Sequence, residues 1–414
     1  MASRRFVVVG AVAAAALVAG VANASAAAAP EGRAVEARTH LSAARAAMDE
    51  VDSTFVPVSP TRVLDTRNNG APVGPGGAVT VDLNTLTPAN ASAVVLNVTG
   101  TQPTAGTYVT VYPAGQARPT ASNLNLVAGQ TRANQVTVAI NSADRKIALY
   151  NFLGSTHLVA DLSGYYVAGT GSSKYNTVTP YRALDTRNGG GAVGPGGTRT
   201  IDLSGSLPAD ATAVTFNLTG VDATTGTFVT AYPAGQSRPL ASNVNLNPGE
   251  VVPNQVTVQL GSNRSVTLFN GNGNVHLIAD VAGYYSTTTG NVFFPFSPER
   301  WMDTREPDQA PGLEPSYFIG LLIGDGTVKG VAANLTGVNA NAAQFITVWP
   351  GGATRPFTSN LNLVAGQVAA NAVNVGVAYE PNPNIAGYST NFANNNGYVD
   401  VVFDVSGVFL EPLS

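Results

Sequence analysis

Three times along the chain an aspartate stands between two arginines at fixed spacing: Arg62, Asp65 and Arg67, then Arg182, Asp185 and Arg187, then Arg300, Asp303 and Arg305. Two further charged sets return with them, Arg118, Arg238 and Arg355, and Asp161, Asp280 and Asp404. The other charged positions drift from copy to copy. A carboxylate beside guanidinium groups forms bidentate, charge-assisted pairs. In a strand, Asp65 and Arg67 would share a face, because side chains alternate. Two roles compete for this set. As a recognition site it would grip a carboxylate or a sugar in triplicate. As an internal clamp it would tie the first strand of each unit to a later one. The clamp is favoured, since an Asp/Arg pair repeated with the fold serves the fold, even where a buried pair adds little stability. Glycoside hydrolysis is a third use, with Asp65- and Asp161-type carboxylates at a defined separation. The neighbouring arginines would hold those carboxylates ionised, which does not suit a general acid.

Other reactive types are sparse. His157 and His276 precede Asp161 and Asp280 by four residues, and Asp400 takes that place in the third copy. A hydrolytic triad would need a nucleophile and an orienter beside each histidine. No Gly-x-Ser-x-Gly stands in a strand-turn-helix setting. One histidine per unit falls short of the three or four ligands of a zinc site, and no loop clusters carboxylates as calcium requires. The chain has no cysteine, which removes disulfides, thiolate metal sites, a cysteine nucleophile and a lipoprotein anchor. No catalytic residue, metal or cofactor is therefore expected. Asn97, Asn217 and Asn334 are each followed two residues later by threonine, a glycosylation pattern that here lies within a recurring strand. Asn123, Asn125, Asn134 and Asn151 are expected to satisfy loop and edge backbone groups, or to grip sugar hydroxyls where exposed near tyrosine.

The elements that must position these residues recur as well. Val94 to Gly100 returns as Val214 to Gly220 and Val331 to Gly337, and His157 to Tyr166 returns as His276 to Tyr285 and Asp400 to Phe409. Constant order over about 120 residues marks an internal repeat. Val94, Leu96 and Val98 alternate with Val95, Asn97 and Thr99, the period of a strand. Glycine-rich turns such as Gly74-Pro75-Gly76-Gly77 separate the runs. About eight strands per unit give an all-β protein of three antiparallel, jelly-roll-like sandwiches. Residues 168–173 and 286–290 read as linkers, so sandwiches in a row at 54–167, 175–286 and 291–414 are expected. The alternative closes the three copies into one pseudo-threefold body or a propeller. Copy three holds both tryptophans, Trp301 and Trp349, and departs most from the pattern. That departure fits a terminal capping repeat, with an exposed Trp platform as the rival reading.

Residues 1–26 read as a secretory leader, with Arg4 and Arg5 ahead of an apolar run from Phe6 to Val21. The run is short and alanine-rich for a membrane anchor, the competing reading. Cleavage fits after Ala24 or Ala26, and Ser3 to Val8 also matches a twin-arginine signal, so Sec and twin-arginine export both stand. Residues 27–53 are alanine-rich, with Ala34, Ala37, Leu41, Ala44 and Met48 at helical spacing, which predicts a short helical or flexible stalk. The formal net charge of -4 becomes -6 without Arg4 and Arg5. With no basic run, that excludes an electrostatic case for nucleic acid or anionic membranes. No further membrane span is expected once the leader is removed, and the oligomeric state is open.

The sequence order LDTR, VLNVTG, VTVYPAG, SNLNL and HLVADLSGYYV, over roughly Phe55 to Leu410, resembles the tandem repeats of secreted actinobacterial proteins of unknown function. The resemblance implies an exported β-repeat protein and brings no activity or ligand with it. The functional expectation is a non-enzymatic extracellular or cell-wall-associated binding or adhesion module, with glycan or cell-wall polymer as the partner and triplication giving avidity. A carbohydrate-active hydrolase using the Asp sets and a purely structural spacer or coat component are the alternatives.

Overall fold

The computed structural model describes residues 31–37, 52–141, 143–169 and 171–412. The expected leader lies outside the described residues. Where a helical stalk was expected, the first described segment is a strand, β1 (Glu31–Glu36). Its buried residues are Gly32 and Val35, and it pairs in parallel with the strand Tyr317–Leu322. A Cβ on Gly32 would collide with Ile385 and Asn382, so close packing on a neighbouring sheet sets the conformation. The rest of the expected stalk, residues 38–51, lies outside the described residues.

Copy one supplies eight strands: β2 (Ser53–Asp65), β3 (Ala78–Asp82), β4 (Ala91–Thr101), β5 (Thr107–Pro113), β6 (Leu124–Leu126), β7 (Arg132–Ala139), β8 (Lys146–Asn151) and β9 (His157–Ala168). Copy two repeats them as β10 (Lys174–Asp185), β11 (Thr198–Asp202), β12 (Ala211–Val221), β13 (Thr227–Pro233), β14 (Val244–Leu246), β15 (Val252–Gln259), β16 (Ser265–Asn270) and β17 (His276–Ser286). Copy three runs β18 (Val292–Asp303), β19 (Tyr317–Leu322), β20 (Val328–Val338), β21 (Gln344–Pro350), β22 (Leu361–Leu363), β23 (Ala369–Gly376), β24 (Ala378–Glu380), β25 (Gly387–Asn394) and β26 (Asp400–Leu410).

Each copy is an antiparallel sandwich. In copy one an inner sheet β2-β9-β4-β7 faces an outer sheet β3-β8-β5-β6, and copy two matches it. Copy three has the same inner sheet, but its outer sheet is widened by β24 on β25 and by β1, which pairs parallel with β19. Each sandwich has its own core, with Val94, Leu96 and Val98 of β4 pointing into the first. The all-β sandwich read from the sequence is what the chain forms.

The copies are not beads in a row; the closed alternative is the one observed. Ser173 bridges to Phe55, Asn291 to Tyr175, and Phe293 to Ser53, so copy one meets two, two meets three, and three meets one. The expected linkers thus carry sheet hydrogen bonds. The other face of β4 explains the closure. All of Ala91–Thr101 except Ser92 is buried, so both faces of the strand are covered. Ala93 and Val95 pack on a central cluster with Phe55, Tyr166, Tyr175, Tyr285, Phe293 and Phe409, drawn from all three copies. Phe55 stacks on Tyr285 with ring centroids 4.2 Å apart, Tyr175 on Phe409 at 4.3 Å and Phe293 on Tyr166 at 4.2 Å. Each stack joins different copies and is worth about 0.5–1.5 kcal/mol beyond the area it buries. Gly164, Gly283 and Gly407 let the rings approach, since a Cβ at each would overlap Phe55, Tyr175 and Phe293 respectively. A ring has no terminal repeat to cap. Copy three is the one whose outer sheet accepts β1.

Candidate functional site

The clamp is built at the end of the first inner strand of each copy. Arg62 donates from Nε to Asp161 Oδ1 at 2.5 Å and from Nη1 to Asp65 Oδ2 at 2.8 Å. Its Nη2 reaches out of the copy, to the carbonyl of Leu240 at 2.9 Å. Arg182 binds Asp280 at 2.8 Å, Asp185 at 3.1 Å and the Phe357 carbonyl at 3.2 Å. Arg300 binds Asp404 at 2.9 Å, Asp303 at 3.2 Å and the Thr120 carbonyl at 3.0 Å. Each arginine therefore fastens two strands of its own copy and a loop of the next. The within-copy tie was legible; the second reach was not, because it exists only in the closed ring.

Asp65 and Arg67 meet by a different route from the one the strand pattern implied. The strand stops at Asp65, which caps a single helical turn, α1 (Thr66–Asn69). Arg67 donates back to Asp65 through its backbone N–H at 3.1 Å, Nε at 2.8 Å and Nη2 at 2.6 Å. The Arg187–Asp185 and Arg305–Asp303 pairs repeat these bonds. The carboxylates are enclosed, with side-chain exposure of 6% at Asp65 and 2% at Asp161. The Arg67 guanidinium, acting against burial, holds the Asp65 pKa at about 2. Arg187 likewise lowers Asp185, and at Asp303 the upward push of burial is outweighed by Arg305. Burial raises Asp161, Asp280 and Asp404, opposed by their arginines.

The recurring asparagines form a second set of ties around the axis. Asn97 Nδ2 donates to the Ser242 carbonyl at 2.8 Å, Asn217 to Ser359 at 2.6 Å and Asn334 to Ser122 at 2.7 Å. The side-chain oxygens of these three accept from Asn254, Asn371 and Asn134 at 2.8–2.9 Å. The threonine-spaced asparagines are buried, so the glycosylation reading gives way to an inter-copy one. Asn151 and Asn123 satisfy loop and strand backbone as expected, Asn151 Nδ2 donating to the Val73 carbonyl and Asn123 Oδ1 accepting from the Val111 N–H.

His157 and His276 each face a threonine hydroxyl, Thr66 and Thr186, at 3.1 Å, and Asp400 faces Thr304 at the same distance. Each threonine also accepts a backbone N–H from the last inner strand. A histidine and an aspartate can fill one position because both can bond that hydroxyl. Sequence reasoning missed the threonine, although it follows Asp65, Asp185 and Asp303 in every copy.

The Arg118 set stands apart. It lies on the outer sheets and joins no clamp. Arg118 sits over the Tyr150 ring at 4.2 Å, and Arg238 over Phe269 at 4.1 Å. Neither has a carboxylate partner among the described residues. In copy one Tyr108 stacks on the exposed Phe152 at 4.6 Å, and in copy two Phe228 lies 6.0 Å from Phe269. Copy three puts Ala393 where Tyr150 stands in copy one, and Arg355 is 6.0 Å from Trp349. Trp301 and Trp349 are 0% and 3% exposed, so they form no exposed platform. Among the described residues no three His, Asp or Glu side chains are grouped as metal ligands.

No family model and no curated protein matches this sequence. Among solved structures, the chain is similar to one from Sulfolobus turreted icosahedral virus, at 12% identity over 87% of this chain and 92% of that one, with a TM-score of 0.21. A second, from an archaeal virus and described as a triple jelly roll fold in a turret assembly, matches at 10% identity over 88% and 92%, with a TM-score of 0.20. Scores this low say nothing of this chain's activity or partners.

Proposed function

We propose that the protein is an exported, non-enzymatic extracellular module that binds glycan or cell-wall polymer through its outer sheets. One observation carries this reading. Of the charged sets that recur in all three copies, every one except the Arg118 set is consumed in fastening the body together. Arg118 and Arg238 are exposed, unpaired with acid, and laid on aromatic rings. Rings with a neighbouring guanidinium suit sugars, whose C–H faces stack on aromatics while their hydroxyls accept from N–H groups. Two such faces on one rigid body would add avidity on a repeating polymer. Export and a wall-associated location rest on the leader-like N-terminus and the resemblance to secreted actinobacterial repeats. The hydrolase alternative is not adopted, because Asp65 and Asp161 share one guanidinium and are both held in ion pairs.

The test is a pull-down on insoluble polysaccharides and peptidoglycan. Arg118→Ala/Tyr150→Ala should weaken retention, and adding Arg238→Ala/Phe269→Ala should abolish it while the protein stays folded. Undiminished retention by the fourfold variant, or turnover on a glycan panel, would overturn the proposal.

A further inference from the structure

At the other end of β4 from the aromatic cluster, where Gly100 pairs with Arg132, a small pit opens between the three copies. Its volume is about 30 Å³, room for about two water-sized groups. Arg132, Asn125, Gln130, Asn362 and Gln367 line it with polar groups, and Val251 and Val368 are among its apolar walls.

The polar lining is almost all donor. Gln130 Oε1 already accepts from the Val127 N–H at 3.1 Å, and Gln367 Oε1 from the Val364 N–H at 3.0 Å. Asn125 and Asn362 accept from the hydroxyls of Ser122 and Ser359 at 3.3 Å. These bonds engage the amide oxygens, while among the described residues the NH₂ groups meet no protein acceptor. Arg132 adds a guanidinium that is under-compensated. Its Nη2 lies 3.4 Å from Glu250 of copy two, and its buried Nη1 has no partner. Donors thus outnumber acceptors among the side chains that line the pit.

Arg132 is also unlike the clamp residues in its distribution. The matching positions in copies two and three are Val252 and Ala369. What the threefold fold needs, it needs three times; a single arginine at the axis is not such a requirement. Around the mouth the surface turns apolar, with Val127 64%, Val251 42%, Val364 59% and Val368 45% exposed.

We propose that this mouth binds an apolar carboxylate, its two oxygens in the donor-lined pit beside Arg132 and its tail across the valine collar. The site is separate from the outer-sheet faces and does not depend on the polymer-binding reading. Octanoate fits the pattern as a probe, with acetate testing the collar and octylamine the charge.

Calorimetric titration of the full protein provides the test. Octanoate should bind one per chain, acetate at least tenfold more weakly, and octylamine not at all. Arg132→Val, which installs the copy-two residue, should weaken octanoate at least tenfold. Glu250→Gln should tighten it severalfold, because Glu250 competes for the same guanidinium. No octanoate binding by the wild-type protein would overturn the proposal, as would equal binding of octylamine or unchanged affinity in Arg132→Val. A Glu250→Gln variant that binds no better than wild type would remove Arg132 as the anchor.

Discussion

The recurring charged residues of the inner and outer sheets obey different rules. On the inner sheets the polar residues return in all three copies with the same partners: Arg62-type to Asp161-type, and Asn97-type to the next copy's loop. On the outer sheets the Arg118 set returns as sequence, but its surroundings do not. It meets Tyr150, then Phe269, then at a longer distance Trp349. Recurrence with identical partners marks what closure of the ring requires. Recurrence with shifting partners marks a surface that the fold leaves free to vary.

The sharpest way to break this contrast is to remove one inner carboxylate. Asp161→Ala would take from Arg62 its most buried partner and leave it only Asp65 and the Leu240 carbonyl, and losing one member of a buried pair costs about 3–5 kcal/mol. Chemical denaturation should show that loss, and a loss below about 1 kcal/mol would deny the clamp its role. Asn254→Ala strips the Asn97 tie and the acceptor for the Gln135 N–H, at about 2–3 kcal/mol for unsatisfied buried groups. Its midpoint in the same denaturation should lie between those of Asp161→Ala and wild type.

Asp65→Asn sharpens the comparison through pH. Its carboxyl is held at about 2 against an ordinary 3.8, a difference of about 2 kcal/mol. A lowered folded-state pKa gives stability that is fully present above the ordinary value and disappears as pH falls through the lowered one. The gap between wild type and Asp65→Asn should therefore be about 2 kcal/mol at pH 7 and close between about pH 4 and pH 2. A gap that persists at pH 2 would mean the Arg67 pairing is not its source. The smallest effect is expected outside. Arg118→Ala should shift stability by less than about 0.5 kcal/mol while weakening polymer retention, so a large loss of stability would erase the distinction between the two faces.

Much of the inner architecture was legible in the sequence. The period of two in Val94 to Thr99 identified the strand, and the return of Asp161 with Arg62 identified the tie between strands. Closure was not legible, because an alternating strand with Asn97 and Thr99 on one face reads the same whether that face meets water or another copy's amides. The clue lay in the combination of Gly164 with Tyr166 and Phe55, where a strand glycine marks a close approach, here to the Phe55 ring that in turn stacks on Tyr285 of copy two. Strand β1 was missed because alanine-rich spacing outweighed Gly32, a residue that a helix disfavours and that close packing on Ile385 demands.

Closure itself is open to direct measurement by small-angle X-ray scattering of the protein in solution. A single compact body of this size has a radius of gyration of about 21 Å, whereas three sandwiches strung in a row reach about 30 Å. A value near the first, held constant as salt is raised, is the expected result. A value near the second would contradict the ring and return the clamp arginines to the surface.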